Sequence, residues 1–295
     1  MIRTLDDSVT LTLMTAATTD IVPGAGSALP IRTVTATRYV TALREGGSLP
    51  GLVEADDDGL YVVKFHGAGQ GPRVLVAELI AGELGRALGL PVPEIVFVEL
   101  DPALAPAEPN TEIQELLERS PGLNLGLDFL PGALAFRPMT ELDPALAADI
   151  VWFDGLITNV DRTVRNVNLL MWGKRLWLID HGAALYIHFT WRDPAEHARR
   201  PFARIADHVL LPYASSIAAA DARLAPRVSR ELLERIAGAV PDAWLLGGAR
   251  LPAGAGQPRG DDEPERHRRA YVDYLLSRLE SPRPFVEDAD RARHP

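Results

Sequence analysis

"YVVKFHGAGQGPRVLVAELIAGELGRALGLPVPE", residues 61–94, is the stretch on which the fold class turns. Its first five residues alternate as a half-buried strand does, with Tyr61, Val63 and Phe65 on one face and Val62 and Lys64 on the other. Lys64 is unusual here: of the 30 basic residues in the chain, only Lys64 and Lys174 are lysine. An ammonium is a compact charge that fits into crowded anionic surroundings where a planar guanidinium does not. The plainer reading is a strand cation facing water. "GAGQGP" breaks the strand, and it lacks the Lys-Ser/Thr ending of a phosphate-binding P-loop. Pro72 then opens a helix in which Val76, Leu79, Ile80, Leu84, Ala87 and Leu88 recur at helical spacing until "GLPVP" stops it.

On the N-terminal side, "IRTVTATRYVTAL" reads as a strand, "REGGSLPG" as a turn, and "LVEADDDGLYVVKF" as a hairpin turning over residues 56–59. Residues 1–30, rich in Thr and Ala, read as a loose segment. On the C-terminal side, "EIVFVEL" and "LNLGLDFLP" are strands around a loop at 101–122, so the first half is a small sheet with one helix. The second half changes character. "DPALAADIVWFDGLIT" is helical, "NVDRTVRN" is a polar loop, and "VNLLMWGKRLWLID" is a hairpin turning at Gly173 and Lys174. Beyond "HGAAL" the pattern is mainly helical, with helices near 228–240 and 264–280. The class is α+β: a β-rich lobe over 31–132, a larger helical lobe over 133–295, and a cleft between them.

The composition removes several function classes. A net charge of -10 argues against direct nucleic-acid binding or an anionic membrane surface. No apolar run is long enough to span a bilayer, and the N-terminal residues have neither the basic start nor the apolar core of a signal peptide, so a cytoplasmic protein with no membrane contact is expected. There is no cysteine, and the seven histidines show no metal-ligand spacing.

Four polar positions fall in a telling order. Lys64 is followed fourteen residues later by Glu78 on the helix; "NVDRTVRN" carries Asp161 and, five residues on, Asn166; "LIDHG" delivers Asp180 at the end of a strand. The interval from Asp161 to Asn166 matches that of the kinase H-R-D-L-x-x-x-N loop, and Asp180 stands where a D-F-G aspartate is expected. As a set, "YVVKF", "AELIAGELGRALGLPVPE", "DRTVRN" and "LIDHG" resemble the HipA family of bacterial kinases over roughly residues 30–190.

The resemblance implies a two-lobed protein-kinase-like fold and transfer of the ATP γ-phosphate to a hydroxyl, on a serine or threonine of a protein substrate, with Mg²⁺. It also implies a small protein partner. Lys64 would pair with phosphates, oriented by Glu78; Asp161 would take or orient the acceptor proton; Asn166 and Asp180 would bind Mg²⁺ through oxygen. For the lysine partner the resemblance favours Glu78, while helical phase favours Glu83. Asn168 is a second amide candidate for the metal. Arg165 would reach the γ-phosphate, or else be a solvated loop arginine. Gly46, Gly47 and Ser48 would cradle phosphates through their backbone, or form an ordinary turn. Phe129 and Leu130 would meet adenine, or belong to a plain strand and turn. Departures from the kinase pattern are Asn159-Val160 where His-Arg is usual, His181 after Asp180, no G-x-G-x-x-G loop and no A-P-E motif. A non-catalytic nucleotide- or partner-binding module and a small-molecule kinase are the alternative functions.

Overall fold

The computed structural model describes residues 29–43, 49–137, 142–247 and 262–293. It begins with β1 (Thr33–Ala42), β2 (Gly51–Ala55) and β3 (Leu60–Lys64), then α1 (Arg73–Ala87), β4 (Ile95–Leu100), α2 (Thr111–Glu118) and β5 (Gly122–Asp128). The five strands close into a barrel in the order β1-β2-β3-β5-β4. One parallel pairing closes it, with Thr33, Val34 and Thr35 against Phe97, Val98 and Glu99. The small sheet expected from the sequence therefore has no open edge, which removes a template for unwanted strand pairing.

The alternation at 61–65 decides what fills the barrel. Tyr61, Val63 and Phe65 pack with Val34, Val53, Val96 and Val98, while Val62 and Lys64 line a cavity on the opposite face. Residues 101–122 are not the loop expected of them. They hold a 3-10 turn (Pro102–Ala107) and α2, whose Ile113, Leu116 and Leu117 join the barrel core. Asn110 starts α2, its side chain accepting from the Glu112 amide. A helix of eight residues with three buried apolar side chains has too short a period to stand out from sequence.

Helix α1 is enclosed on nearly every side: twelve of its fifteen residues are buried, Glu78 among them. Its Leu75, Leu79, Ile80 and Leu84 belong to a second, larger core shared with the helical half.

That half is built from β6 (Leu134–Ala135), α3 (Pro144–Leu156), β7 (Leu169–Trp172), β8 (Arg175–Leu178), α4 (Pro194–Arg199), α5 (Ile217–Leu224), α6 (Arg230–Gly238), α7 (Asp242–Leu246), α8 (Glu263–Leu279) and α9 (Pro284–Arg293). Asp143 caps α3 by accepting from the Ala145 amide. The β7–β8 hairpin turns on Gly173 (φ 55) and Lys174 (φ 62), the two left-handed residues a tight hairpin requires. α6 and α8 are the helices expected near 228–240 and 264–280. The fold is α+β, and among the described residues no helix is long and apolar enough to cross a membrane.

Candidate active site

Lys64 ends β3, and its Nζ lies 2.6 Å from Glu78 Oε2 on α1 and 2.6 Å from Asp180 Oδ1 beyond β8. Glu78 Oε2 also accepts the His181 amide at 2.8 Å, and Glu78 Oε1 faces His181 Nδ1 at 3.4 Å. One buried carboxylate thus ties together the barrel, α1 and the turn after β8. Glu83 turns elsewhere, its Oε1 3.2 Å from Arg86 Nε. Helical phase favours Glu83 only if one stripe of the helix is buried; α1 is wrapped all round, so the stripe carries no such information.

Burial alone would push the Glu78 carboxyl up; the Lys64 charge and the His181 amide overcome it and hold Glu78 well below the usual carboxylate range. Burial likewise opposes the charge on Lys64, and Glu78 and Asp180 together raise the ammonium above its ordinary value. Both groups are charged at neutral pH. Asp180 has φ 56, in the left-handed region that Asp tolerates better than most residues. Gly182 lets this turn lie against α1, because a Cβ there would come within 2.5 Å of Val74 Cγ1.

Asp161 follows α3 on an irregular loop. Its Oδ2 accepts from Asn166 Nδ2 at 2.6 Å and from Asn168 Nδ2 at 3.4 Å, and its amide donates to Asn159 Oδ1 at 3.1 Å. The loop stands on a second buried carboxylate. Asp154 accepts from Arg162 Nε (2.6 Å), His208 Nε2 (2.8 Å) and Asn159 Nδ2 (3.0 Å). Arg162 is buried and also donates to the carbonyls of Asn168 and Ile179, so it is a strut between the loop and the end of β8.

Two adjoining cavities meet at Asp180. One, of about 600 Å³, is walled by Val62, Leu127, Phe129, Leu130, Leu170 and Ile179, with Lys64 and Asp180 at its polar end. The other, of about 480 Å³, is lined by Asp161, Asn166, Asp180, Gly182, Tyr186 and Phe189. The Phe129 amide is already spent on the Leu60 carbonyl at 2.9 Å. Arg165 borders neither of these two cavities; it lines a further one with Arg204 and Arg293. Gly46, Gly47 and Ser48 lie outside the described residues.

A family profile described as HipA-like kinase matches residues 37–252, a span that takes in Lys64, Glu78, Asp161, Asn166 and Asp180. The chain belongs to the HipA-like kinase family. No curated protein sequence matches it. Among solved structures, the chain is similar to a Helicobacter pylori proinflammatory kinase, CtkA, at 14% identity and a TM-score of 0.49, over 90% of this chain and 98% of that one.

Membership in the HipA-like kinase family implies a kinase-type phosphotransferase that uses ATP. The oxygens present suit a divalent cation that arrives with phosphates. Asp180 offers a carboxylate and Asn166 an amide oxygen, while no cluster of three or more His, Cys, Asp or Glu among the described residues could hold an ion by itself. Mg²⁺ keeps several waters and leans on substrate phosphates, which fits so sparse a set.

Sequence reasoning missed Asp154 and His208. Asp154 did leave a trace, a lone carboxylate in the apolar run "IVWFDGLI". His208 left none, being 54 positions from its partner.

Proposed function

We propose that this chain transfers the ATP γ-phosphate to a serine or threonine hydroxyl of a protein. The observation that carries the reading is the Lys64–Glu78–Asp180 contact, assembled from three separate segments, at the polar end of an apolar cleft beside Asp161. Adenine would lie between Val62, Leu127, Leu170 and Ile179, with the chain near Phe129 and Leu130 at its edge. Because the Phe129 amide is taken, Leu130 is the better donor of the pair.

Lys64 would exchange its bond to Asp180 for the phosphates, keeping Glu78 as its fixed partner. Magnesium, when bound, neutralises charge between the phosphate oxygens, and Asp180 and Asn166 are the residues that would hold it. Asp161 keeps Oδ2 engaged with Asn166 and so has Oδ1 left to accept the acceptor's proton. The acceptor oxygen bonds to the γ-phosphorus as the bond to the ADP oxygen breaks, and the hydroxyl proton passes to Asp161. This is positioning and charge stabilisation, with no covalent intermediate on the protein.

The test is Asp161→Ala. Phosphotransfer should fall by about 10² to 10⁴, as for other positioned acid–base groups, while calorimetric ATP affinity in Mg²⁺ stays within a few-fold. Turnover close to wild type removes Asp161 from the reaction. Failure of the wild-type protein to bind ATP at all supports the non-catalytic partner-binding module instead.

A further inference from the structure

We propose that the acceptor is an extended acidic polypeptide with an apolar side chain beside its hydroxyl, held in a groove that runs from Asp161 past Tyr186 to Arg204, Arg165 and Arg293. The position of the hydroxyl rests on the phosphotransfer reading above; the groove and its charge do not.

Three cavities form the groove. The one holding Asp161 shares Val160 and Tyr186 with a neighbour of about 450 Å³, and that neighbour shares Arg204 with a third of about 750 Å³. The first is aromatic at its outer wall: Tyr186 is 56% and Phe189 38% exposed, their rings 5.6 Å apart. Two large exposed aromatics side by side, next to the proposed base, form a surface for an apolar side chain. The pair sits on a 3-10 turn (Tyr186–Phe189) that follows directly from the Asp180 segment, so its distance from the reacting atoms is set by the backbone.

Farther along, the lining becomes basic. Arg200, Arg204, Arg165 and Arg293 face the two outer cavities, against Asp207 as the single acid lining them among the described residues. Their internal pairings are weak. Arg204 is 3.8 Å from Asp207, Arg293 is 3.7 Å from Asp290, and the Arg200–Glu196 pair is an exposed contact of the kind that contributes little. The Arg165 side chain has no ion pair among the described residues, and Arg293 Nε is buried with no hydrogen-bond partner there.

A chain of net charge -10 has gathered four guanidinium groups along one groove beside its proposed base, three of them in long or exposed pairs and Arg165 in none among the described residues. Such groups match carboxylates in a forked geometry. The acidic end at Asp161 and Asp180 opposes a continuous phosphate backbone in the same groove, which favours polypeptide over nucleic acid.

The experiment is fluorescence anisotropy on full-length protein without ATP, using labelled serine peptides that differ only in carrying Glu or Lys at positions distal to the serine and Leu or Ala next to it. The Glu–Leu peptide should bind at least about tenfold tighter than the Lys–Leu peptide, several weak charge contacts adding together. Arg204→Glu should erase that difference. Tyr186→Ala should weaken the Leu peptide towards the Ala one. Should Arg204→Glu lose its circular dichroism signal, Arg165→Glu takes its place.

Equal affinity for Glu and Lys peptides overturns the proposal. So does a single-stranded oligonucleotide that binds more tightly than the Glu–Leu peptide and is lost in Arg204→Glu. Transfer from labelled ATP is measured separately. A Glu preference without transfer keeps the groove and sinks the phosphotransfer reading, whereas transfer without a Glu preference does the reverse.

Discussion

Glu78 on α1 and Asp154 on α3 are both fully buried carboxylates, each taking bonds from a cation, a histidine residue and the loop that its network supports. In both, burial alone would push the carboxyl up, and the cation (Lys64 or Arg162) with the hydrogen bond from the histidine residue holds it well below the usual range. They part company at the edges. Lys64 and Asp180 border a cavity, and the Asp180 side chain is 38% exposed, whereas the side chains of Asp154, Arg162 and His208 are at most 2% exposed. A sealed network can only hold a shape. An open one can trade one partner for a ligand, so the same chemistry serves as scaffold in one place and as candidate machinery in the other.

The sharpest way to break this comparison is Asp154→Ala. Removing one partner leaves the Arg162 charge buried without compensation, which costs about 3–5 kcal/mol. Against a typical domain stability of about 5–15 kcal/mol, the variant should unfold at much lower denaturant. A loss under about 1 kcal/mol would mean that water reaches Arg162 and that the two networks do not differ as described.

Lys64→Arg probes the open network. Charge is kept, so melting should stay near wild type, but the larger planar fork cannot sit 2.6 Å from two carboxylates in the same space. Phosphotransfer should drop about a hundredfold, the scale of losing one charge-stabilising donor. Lys174→Arg, in the β7–β8 turn, should remain fully active. Equal activity in all three proteins would leave Lys64 as a structural cation only.

The smallest effect sharpens the electrostatics. Glu78 has its folded-state titration depressed below the ordinary glutamate value of 4.5, so the unfolded chain binds the extra proton first as pH falls. Its stabilisation is complete above that value and is lost progressively below it. The stability gap between wild type and Glu78→Gln should therefore be flat from neutral pH down to about 5.5 and close on further acidification. A gap that widens in acid would reverse the sign and imply a Glu78 carboxyl held protonated.

The elements that were legible in the sequence are those set by their own neighbours. The alternation at 61–65 separates barrel-facing Tyr61 and Val63 from cavity-facing Val62 and Lys64, as read. The α1 start at Pro72, the Gly173-Lys174 turn and helices α6 and α8 were equally visible, because spacing and turn chemistry act over a few residues. The helix at 111–118 escaped, since its few apolar residues found their partners only in the barrel.

By itself, then, the sequence determined the strand-then-helix layout and the order Lys64, Glu78, Asp161, Asn166, Asp180, since residue type and interval are local properties. Only the tertiary structure decided that the strands close into a barrel through Thr33–Thr35, that Lys64 meets Glu78 while Glu83 meets Arg86, that His208 supports Asp154, and that Arg165 turns away from the cleft into a basic groove. The physical reason is common to all four. Each depends on which surfaces come together across long stretches of chain, and packing and desolvation settle that choice where no periodicity can record it.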